Sequence, residues 1–137
     1  MKRPDLFGAF FAFLVIPVVL QIPTGCATPG KPHHLNCPAE IEWQVAPEGH
    51  ITRFECKADT HSDKPALIFW AEIKNISSES HRFRLNIFLL DENLAGGRSI
   101  PADRGSKLGP GQIATITVPV SNTTDPDQQI FVTLKTF

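Results

Sequence analysis

Residues 66–91 constrain the fold of this chain more than any other stretch, because apolar and polar side chains alternate through most of them. Two segments, ALIFWAEIKN and HRFRLNIFLLD, are joined by a short polar turn at residues 76–80. A period of two residues is typical of β-strands with one face in the core. We therefore predict that the two strands pair as a hairpin at the centre of a sheet. Its core face would consist of Leu67, Phe69, Ala71, Ile73, Phe83, Leu85, Ile87 and Leu89.

Shorter alternating segments surround this hairpin, and Gly- and Pro-containing turns separate them. The first two segments form a predicted hairpin around a turn at 47–49, a polar loop follows at 59–65, and Pro119 marks a strand end or a sheet edge. About six or seven strands without a convincing helix predict one all-β domain, residues 39–137, folded as an immunoglobulin-like or fibronectin-III-like β-sandwich. The additional predicted strands cover residues 39–45, 52–58, 99–102, 113–120 and 129–137.

The composition and the motifs exclude several classes of function. The chain of 137 residues has 13 basic and 14 acidic side chains, which gives a formal net charge of −1. No basic field is present to hold a phosphate backbone, so we expect no nucleic-acid binding. The sequence also has no Gly-rich phosphate loop, nucleophile elbow or zinc-protease helix. We therefore predict a protein that is not an enzyme and that carries no cofactor and no metal.

Residues 1–25 are predicted to be a signal peptide, because Lys2 and Arg3 precede a long uncharged apolar run. Gly25 before Cys26 resembles the lipobox of bacterial lipoproteins, in which the cysteine thiol is acylated and becomes the mature N-terminus. We accordingly expect Cys26 to carry palmitate and residues 26–38 to form a lipidated, Pro-rich tether. Cleavage by an ordinary signal peptidase and an uncleaved membrane anchor are the two alternatives.

The number of cysteines agrees with lipidation. If Cys26 is acylated, Cys37 and Cys56 remain as an even pair in an oxidising compartment, where disulfides persist. The predicted hairpin between them would bring both ends within reach of each other. We therefore predict a disulfide between Cys37 and Cys56.

The outer faces of the predicted central hairpin carry the best candidates for a binding site. These faces are mainly charged, but large apolar side chains interrupt them, and pairing in register would gather these side chains into one patch that Phe137 could extend. Such a patch on a small domain usually marks a contact surface. The alternative is that a loop, an edge strand or the tether covers the patch, or that bulges turn some of it into the core. The predicted partner-binding residues are Ile68, Trp70, Phe88, Leu90 and Phe131.

A competing interpretation treats the protein as a carrier. His33, His34 and Cys37 supply nitrogen and sulfur donors of the kind that bind zinc or copper. Together with nearby acidic groups, the two histidines would make a periplasmic small-ligand or metal-binding carrier. A solvated linker with a structural half-cystine explains the same residues without a metal.

Residues 71–93 and the later segment LGPGQIATITVPV resemble FxLYD-type and YcfL-like domains of bacterial envelope lipoproteins. The shared features are a strand that ends in Lys74-Asn75, a small polar turn containing Ser77, an aromatic strand with Phe88 and Leu90 that ends at Asp91, and a Leu108-x-Pro110-Gly111 turn. The resemblance implies an immunoglobulin-like sandwich and no catalytic residues. In a resembling lipoprotein, Ala27 after Cys26 would be compatible with sorting to the outer membrane. We expect a lipid-anchored domain that faces the periplasm and binds another envelope protein as an accessory or structural component of an assembly.

Overall fold

The structure, a computed structural model, describes Pro32 and residues 34–137, and every regular element in this part of the chain is a β-strand. The predicted signal peptide, Cys26 and His33 lie outside the described residues. Within them, no helix is long and apolar enough to span a membrane. The strands are β1 His34–Asn36, β2 Ile41–Val45, β3 Gly49–His61, β4 Lys64–Asn75, β5 Phe83–Leu89, β6 Leu94–Ile100, β7 Ile113–Ser121 and β8 Ile130–Thr136.

These strands form two four-stranded sheets that face each other across one core. The first sheet has the order β1-β3-β4-β7 and the second has the order β2-β8-β5-β6. Strands β1 and β2 join their sheets in parallel, and all other pairs are antiparallel. The predicted all-β sandwich is thus confirmed, with β1 as a strand in the stretch predicted to be the tether.

The predicted central hairpin is wrong. Strand β4 pairs with β3 and β7, whereas β5 pairs with β6 and β8 in the opposite sheet. Residues 76–82 therefore form an arch that crosses from one sheet to the other. The predicted hairpin of β2 and β3 is wrong for the same reason, because these consecutive strands also lie in different sheets.

Asn75 explains why the chain leaves the first sheet at this point. Its fully buried amide donates to the carbonyls of Glu79 and Leu108, both at 2.7 Å, and its Oδ1 accepts from the backbone N and the hydroxyl of Ser77. Its backbone N donates to the carbonyl of Gln112, and its carbonyl accepts from the N of Gly111. Both polar groups of the side chain and both polar groups of the backbone are thus bonded, as burial requires. These bonds fix the arch against residues 108–112.

The real hairpin of the first sheet is β3–β4. Residues 59–65, predicted as a polar loop, continue both strands up to a two-residue turn at Ser62 and Asp63. The φ angles of these two residues are 52° and 61°, the left-handed conformation that matches the twist of a two-residue hairpin. The prediction missed these strand ends because residues 57–65 are exposed on both faces and show no apolar alternation.

The eight predicted core side chains are all buried, with at most 1% exposure, although they belong to opposite sheets. Each strand was assigned its inward face correctly from its own period, and this assignment does not depend on its neighbours. In β3, a bulge between Ile51 and Arg53 shifts the register. As a result Ile51 and Phe54 point into the core, and Thr52 does not share the face of Phe54.

Strands β6 and β7 close one side of the sandwich. A Cβ on Gly96 would lie 2.9 Å from the backbone oxygen of Pro119, so only glycine allows β6 to approach β7 this closely. Both Gly96 and Gly97 lie within β6, which begins before the predicted strand at 99–102. Pro119 lies on the edge strand β7, as predicted. An edge strand pairs with a neighbour on one side only, so a residue without a backbone N–H can be accommodated there.

The disulfide between Cys37 and Cys56 is confirmed, with Cα atoms 5.0 Å apart. Its geometric cause differs from the prediction, because β2 and β3 do not form a hairpin. Instead β1 runs parallel to β3, with His34 opposite Arg53 and Asn36 opposite Glu55. The next residue of each segment in this register is a cysteine, and the bond therefore fastens the short β1 to the first sheet.

Candidate binding surfaces

The predicted apolar patch is divided between two opposite outer faces. Ile68 and Trp70 belong to β4 in the first sheet, whereas Phe88, Leu90 and Phe131 lie in or next to β5 and β8 in the second. The expectation of a single patch depended on pairing between β4 and β5, so it is wrong. The molecule instead presents two candidate surfaces of different chemistry.

The surface of the second sheet is an apolar cluster that we call the phenylalanine patch, made of Phe88, Leu90 and Phe131. Phe88 and Phe131 are direct cross-strand partners, and their rings stack with centroids 5.9 Å apart at an interplanar angle of 28°. Both side chains are only partly buried, and Leu90 is 45% exposed. Aromatic cross-strand pairs stabilise a sheet, but their outward position here also leaves apolar area in contact with water.

Polar residues surround the phenylalanine patch. The carboxylate of Asp91 accepts a hydrogen bond from the backbone N of Gln129 at 3.0 Å, next to Leu90. In the neighbouring row, the amide of Asn86 donates to the hydroxyl of Thr133 at 3.2 Å. The patch therefore has a polar margin on both sides along the strands.

Phe137 is not part of the phenylalanine patch. It is 64% exposed and follows the end of β8, six residues beyond Phe131, a separation of roughly 20 Å along an extended chain. Its ring instead contacts the guanidinium of Arg82, whose Cζ lies 5.4 Å from the ring centroid.

The surface of the first sheet is an open hollow of about 630 Å³, which we call the Trp70 depression. The pairing register places its side chains in two adjacent rows across the sheet. One row runs through Asn36, Glu55 and Trp70, and the other runs through Arg53, Glu72 and Thr115. Lys57, Cys56 and Ala71 complete the lining. A single half-buried indole thus lies among side chains that are mostly charged or polar.

One side of the Trp70 depression is held by a hydrogen-bonded charge network. Both Nε and Nη2 of Arg53 contact Oε1 of Glu55, at 2.7 and 2.6 Å, and Nε2 of His34 lies 3.2 Å from the same oxygen. The hydrogen bond from Arg53 is the main cause that holds the pKa of the Glu55 carboxyl below its usual value, and partial desolvation opposes it. The Glu55 side chain is therefore an ionised carboxylate at neutral pH, held in position by these contacts.

Two other charged side chains of the lining have no such partners. Lys57 and Glu72 make no ion pair within the part of the chain that the structure describes. Together with Arg53 and Glu55, they give the lining two cations and two anions. The lining is thus electrically balanced but rich in hydrogen-bonding groups.

Ile68 does not contribute to an exposed surface. It points outward from the first sheet but is only 7% exposed, and its cross-strand neighbours are Lys57 and Pro119. The inclusion of Ile68 among the contact residues is therefore wrong. A side chain on an outer face can still be covered by its neighbours, and the alternation alone does not reveal this.

Two of the residues considered for metal binding have other partners in the structure. Cys37 is bonded to Cys56 and has no thiolate to offer, while His34 faces Glu55. Over Pro32 and residues 34–137, no group of three or more His, Cys, Asp or Glu side chains is arranged to hold a metal ion. His33 lies outside the described residues.

Sequence reasoning missed the polar half of the Trp70 depression. Arg53, Glu55 and Lys57 had the pattern of an ordinary solvated strand face, which is the usual meaning of alternating charges. The signal that would have placed them beside Trp70 is the β3–β4 register, and it follows once residues 62–63 are recognised as a two-residue turn.

Comparison with known proteins finds no matching family model, no matching curated protein and no matching solved structure.

Proposed function

We propose that the protein is a lipid-anchored, non-enzymatic interaction domain of the bacterial cell envelope that binds another envelope protein through the phenylalanine patch. The observation that carries the proposal is the stacked pair of Phe88 and Phe131 beside the exposed Leu90 on the solvent face of the second sheet. A stacked pair on two neighbouring strands is already ordered, so little side-chain entropy would be lost when a partner covers it.

The layout of this face suits a protein partner better than a small molecule. The patch lies on the outer face of a sheet, whereas small-ligand sites are concave. Protein interfaces combine an aromatic centre with a polar rim, and here the exposed Asp91 and the half-buried Asn86 supply that rim. The acidic rim at Asp91 would favour a partner surface with basic groups around an apolar socket.

The anchor and the location form part of the same proposal. Lipidation of Cys26, exposure to the periplasm and attachment to the outer membrane rest on the lipobox-like junction and on the resemblance to envelope lipoproteins. Intact mass of the membrane-extracted protein tests the anchor directly, because acylation of Cys26 adds a large increment to the mass of the processed chain. A chain of unmodified mass, or a chain that keeps residues 1–25, would refute the anchor but not the interaction surface.

The interaction is tested by photo-crosslinking in living cells. A photoreactive residue at position 95, the exposed cross-strand neighbour of Phe88, should give one discrete adduct with an envelope protein, and the double substitution Phe88→Ser, Phe131→Ser should abolish that adduct. A matched control is Ile113→Ser, which removes an exposed apolar side chain from the opposite sheet and should leave the adduct unchanged.

A second variant distinguishes loss of the interaction from misfolding of the domain. Leu90→Arg changes an exposed residue outside the strand and leaves the stacked pair in place, so the fold should persist while the adduct is lost. The proposal fails if Leu90→Arg and the double variant both retain the adduct, or if Ile113→Ser removes it equally.

A further inference from the structure

The Trp70 depression is separate from the phenylalanine patch, since the two lie on opposite sheets. Its volume of about 630 Å³ falls within the range of small-ligand sites in proteins, roughly 300–1,000 Å³. From its lining we propose that the depression binds a saccharide, with a pyranose ring of a glycan packed against Trp70.

Trp70 provides the platform for a sugar ring. It lies on the central strand β4, between its cross-strand partners Glu55 on β3 and Thr117 on β7, so neighbours on both sides restrict its position. A pyranose has an apolar face of C–H groups and a rim of hydroxyls. The indole face complements the C–H groups, and its ordered position limits the entropy lost on binding.

The charged side chains provide the partners for the hydroxyls. A sugar hydroxyl donates to a carboxylate and accepts from an ammonium or guanidinium group, and such charge-assisted hydrogen bonds are the strong ones. Glu72 and Lys57 lie on either side of Trp70 and have no ion-pair partner among the described residues. Arg53 and Glu55 hold each other in place, so their remaining hydrogen-bonding capacity is oriented before a ligand arrives.

The charge balance argues against other ligand classes. An anion would be attracted by the two basic side chains, Arg53 and Lys57, but repelled by the two carboxylates. A cation would be attracted by the carboxylates of Glu55 and Glu72 but repelled by the basic side chains. A purely apolar ligand would desolvate all four charges without replacing their hydrogen bonds to water. A neutral molecule with many hydroxyls and one apolar face satisfies the whole lining.

A second open hollow, of about 420 Å³, lies between β6 and β7 and shows by contrast what the Trp70 depression offers. Its lining contains Arg98 as the one charged side chain and includes no aromatic ring. The second hollow therefore lacks both an aromatic ring on which a sugar could pack and the combination of cations and carboxylates that could bind its hydroxyls.

The test is a titration of the full chain in a detergent without a sugar headgroup. The probes are a β-1,4-linked trimer of N-acetylglucosamine and cellotriose, followed by indole fluorescence and by amide chemical shifts. At least one probe should give saturable changes that map to β3, β4 and β7. Trp70→Ala should weaken the affinity by about tenfold or more, since the stacked ring is lost.

Two further variants make the result specific. Glu72→Gln keeps the size of the side chain and should weaken binding less than Trp70→Ala, whereas Phe88→Ser on the opposite sheet should leave binding unchanged. Phe88→Ser also separates this proposal from the proposed protein interaction, because it should remove only the latter.

Three results would overturn the saccharide proposal. The first is the absence of saturable changes with both saccharides at millimolar concentrations. The second is binding that persists unchanged in Trp70→Ala and in Glu72→Gln. The third is saturable binding of choline or acetate at the same residues without binding of either saccharide, which would assign an ion site instead.

Discussion

Replacement of Asn75 by alanine should destabilise the domain more than any other single polar substitution we consider. Asn75 is fully buried, and its side chain makes four hydrogen bonds, to the carbonyls of Glu79 and Leu108 and from the N and hydroxyl of Ser77. A buried hydrogen bond contributes about 1 kcal/mol net, so an upper value of about 4 kcal/mol follows.

The partners that remain after the substitution reduce this value. The Leu108 carbonyl still accepts from the N of His81 at 3.0 Å, and the Glu79 carbonyl still accepts from the Ser77 hydroxyl at 2.9 Å. The N of Ser77, in contrast, loses the side-chain acceptor that it has in the native protein. We therefore expect Asn75→Ala to lower the free energy of unfolding by about 2–4 kcal/mol, a large part of the typical total of about 5–15 kcal/mol.

Equilibrium unfolding in urea, followed by tryptophan fluorescence, measures this loss, because Trp43 packs against the core ring of Phe54 at 5.0 Å. The matched control is Asn86→Ala on the outer face of β5. Its amide donates one hydrogen bond to Thr133 and accepts one from the exposed Arg84, and their loss should cost about 1 kcal/mol. A loss below about 1 kcal/mol for Asn75→Ala would show that the backbone bonds of residue 75 suffice to hold the arch, and would refute our account of the crossover.

Three further predictions concern other parts of the domain. Arg53→Ala should raise the pKa of Glu55 toward its usual value, as measured by carboxyl NMR. The native pair contributes stability above the unfolded pKa, and this stability is lost as the pH falls through the lower folded pKa. The contribution is small because the Arg53 side chain is 51% exposed, so that solvent screens the pair. An unchanged Glu55 pKa in this variant would contradict the assignment. Gly96→Ala should lower the free energy of unfolding by about 1–3 kcal/mol, because the added Cβ meets the backbone of β7, and a neutral result would show that β6 shifts freely. Cys37→Ser should cost roughly 3 kcal/mol in the chain-entropy model and should release β1, which hydrogen exchange of the β1 and β3 amides would detect; protection equal to that of the native protein would count against a fastening role.

The sequence could predict the inward face of each strand because that face is a local property. In β4, for example, Leu67, Phe69 and Ile73 repeat with a period of two, and all are fully buried. Burial of an apolar side chain stabilises the fold whichever strand lies beside it. The core was therefore predictable even where the strand pairing was not.

The pairing of β4 could not be predicted because its cause is not local. A five-residue polar turn after Asn75 is compatible both with a hairpin and with an arch between sheets. The choice depends on the buried amide of Asn75, which bonds to the carbonyl of Leu108, 33 residues away in the sequence. Asn75, Leu108 and Gly111 belong to the sequence pattern shared with the envelope lipoprotein domains, and hydrogen bonds join them at the arch. These residues of the pattern therefore have a structural role.

The separation of Trp70 from Phe88 changes the kind of function that each can serve. Sequence reasoning could identify both as apolar exceptions on charged strand faces, but it could not assign them to opposite sides of the core. Trp70 lies in a hollow among balanced charges, which suits a small polar ligand, whereas Phe88 lies on an open face beside Phe131 and Leu90, which suits a protein surface. Because a packed core about 10 Å thick separates the two faces, a ligand on one does not obstruct a partner on the other. The two proposals can therefore fail separately, and a defect confined to one face would leave the other function measurable.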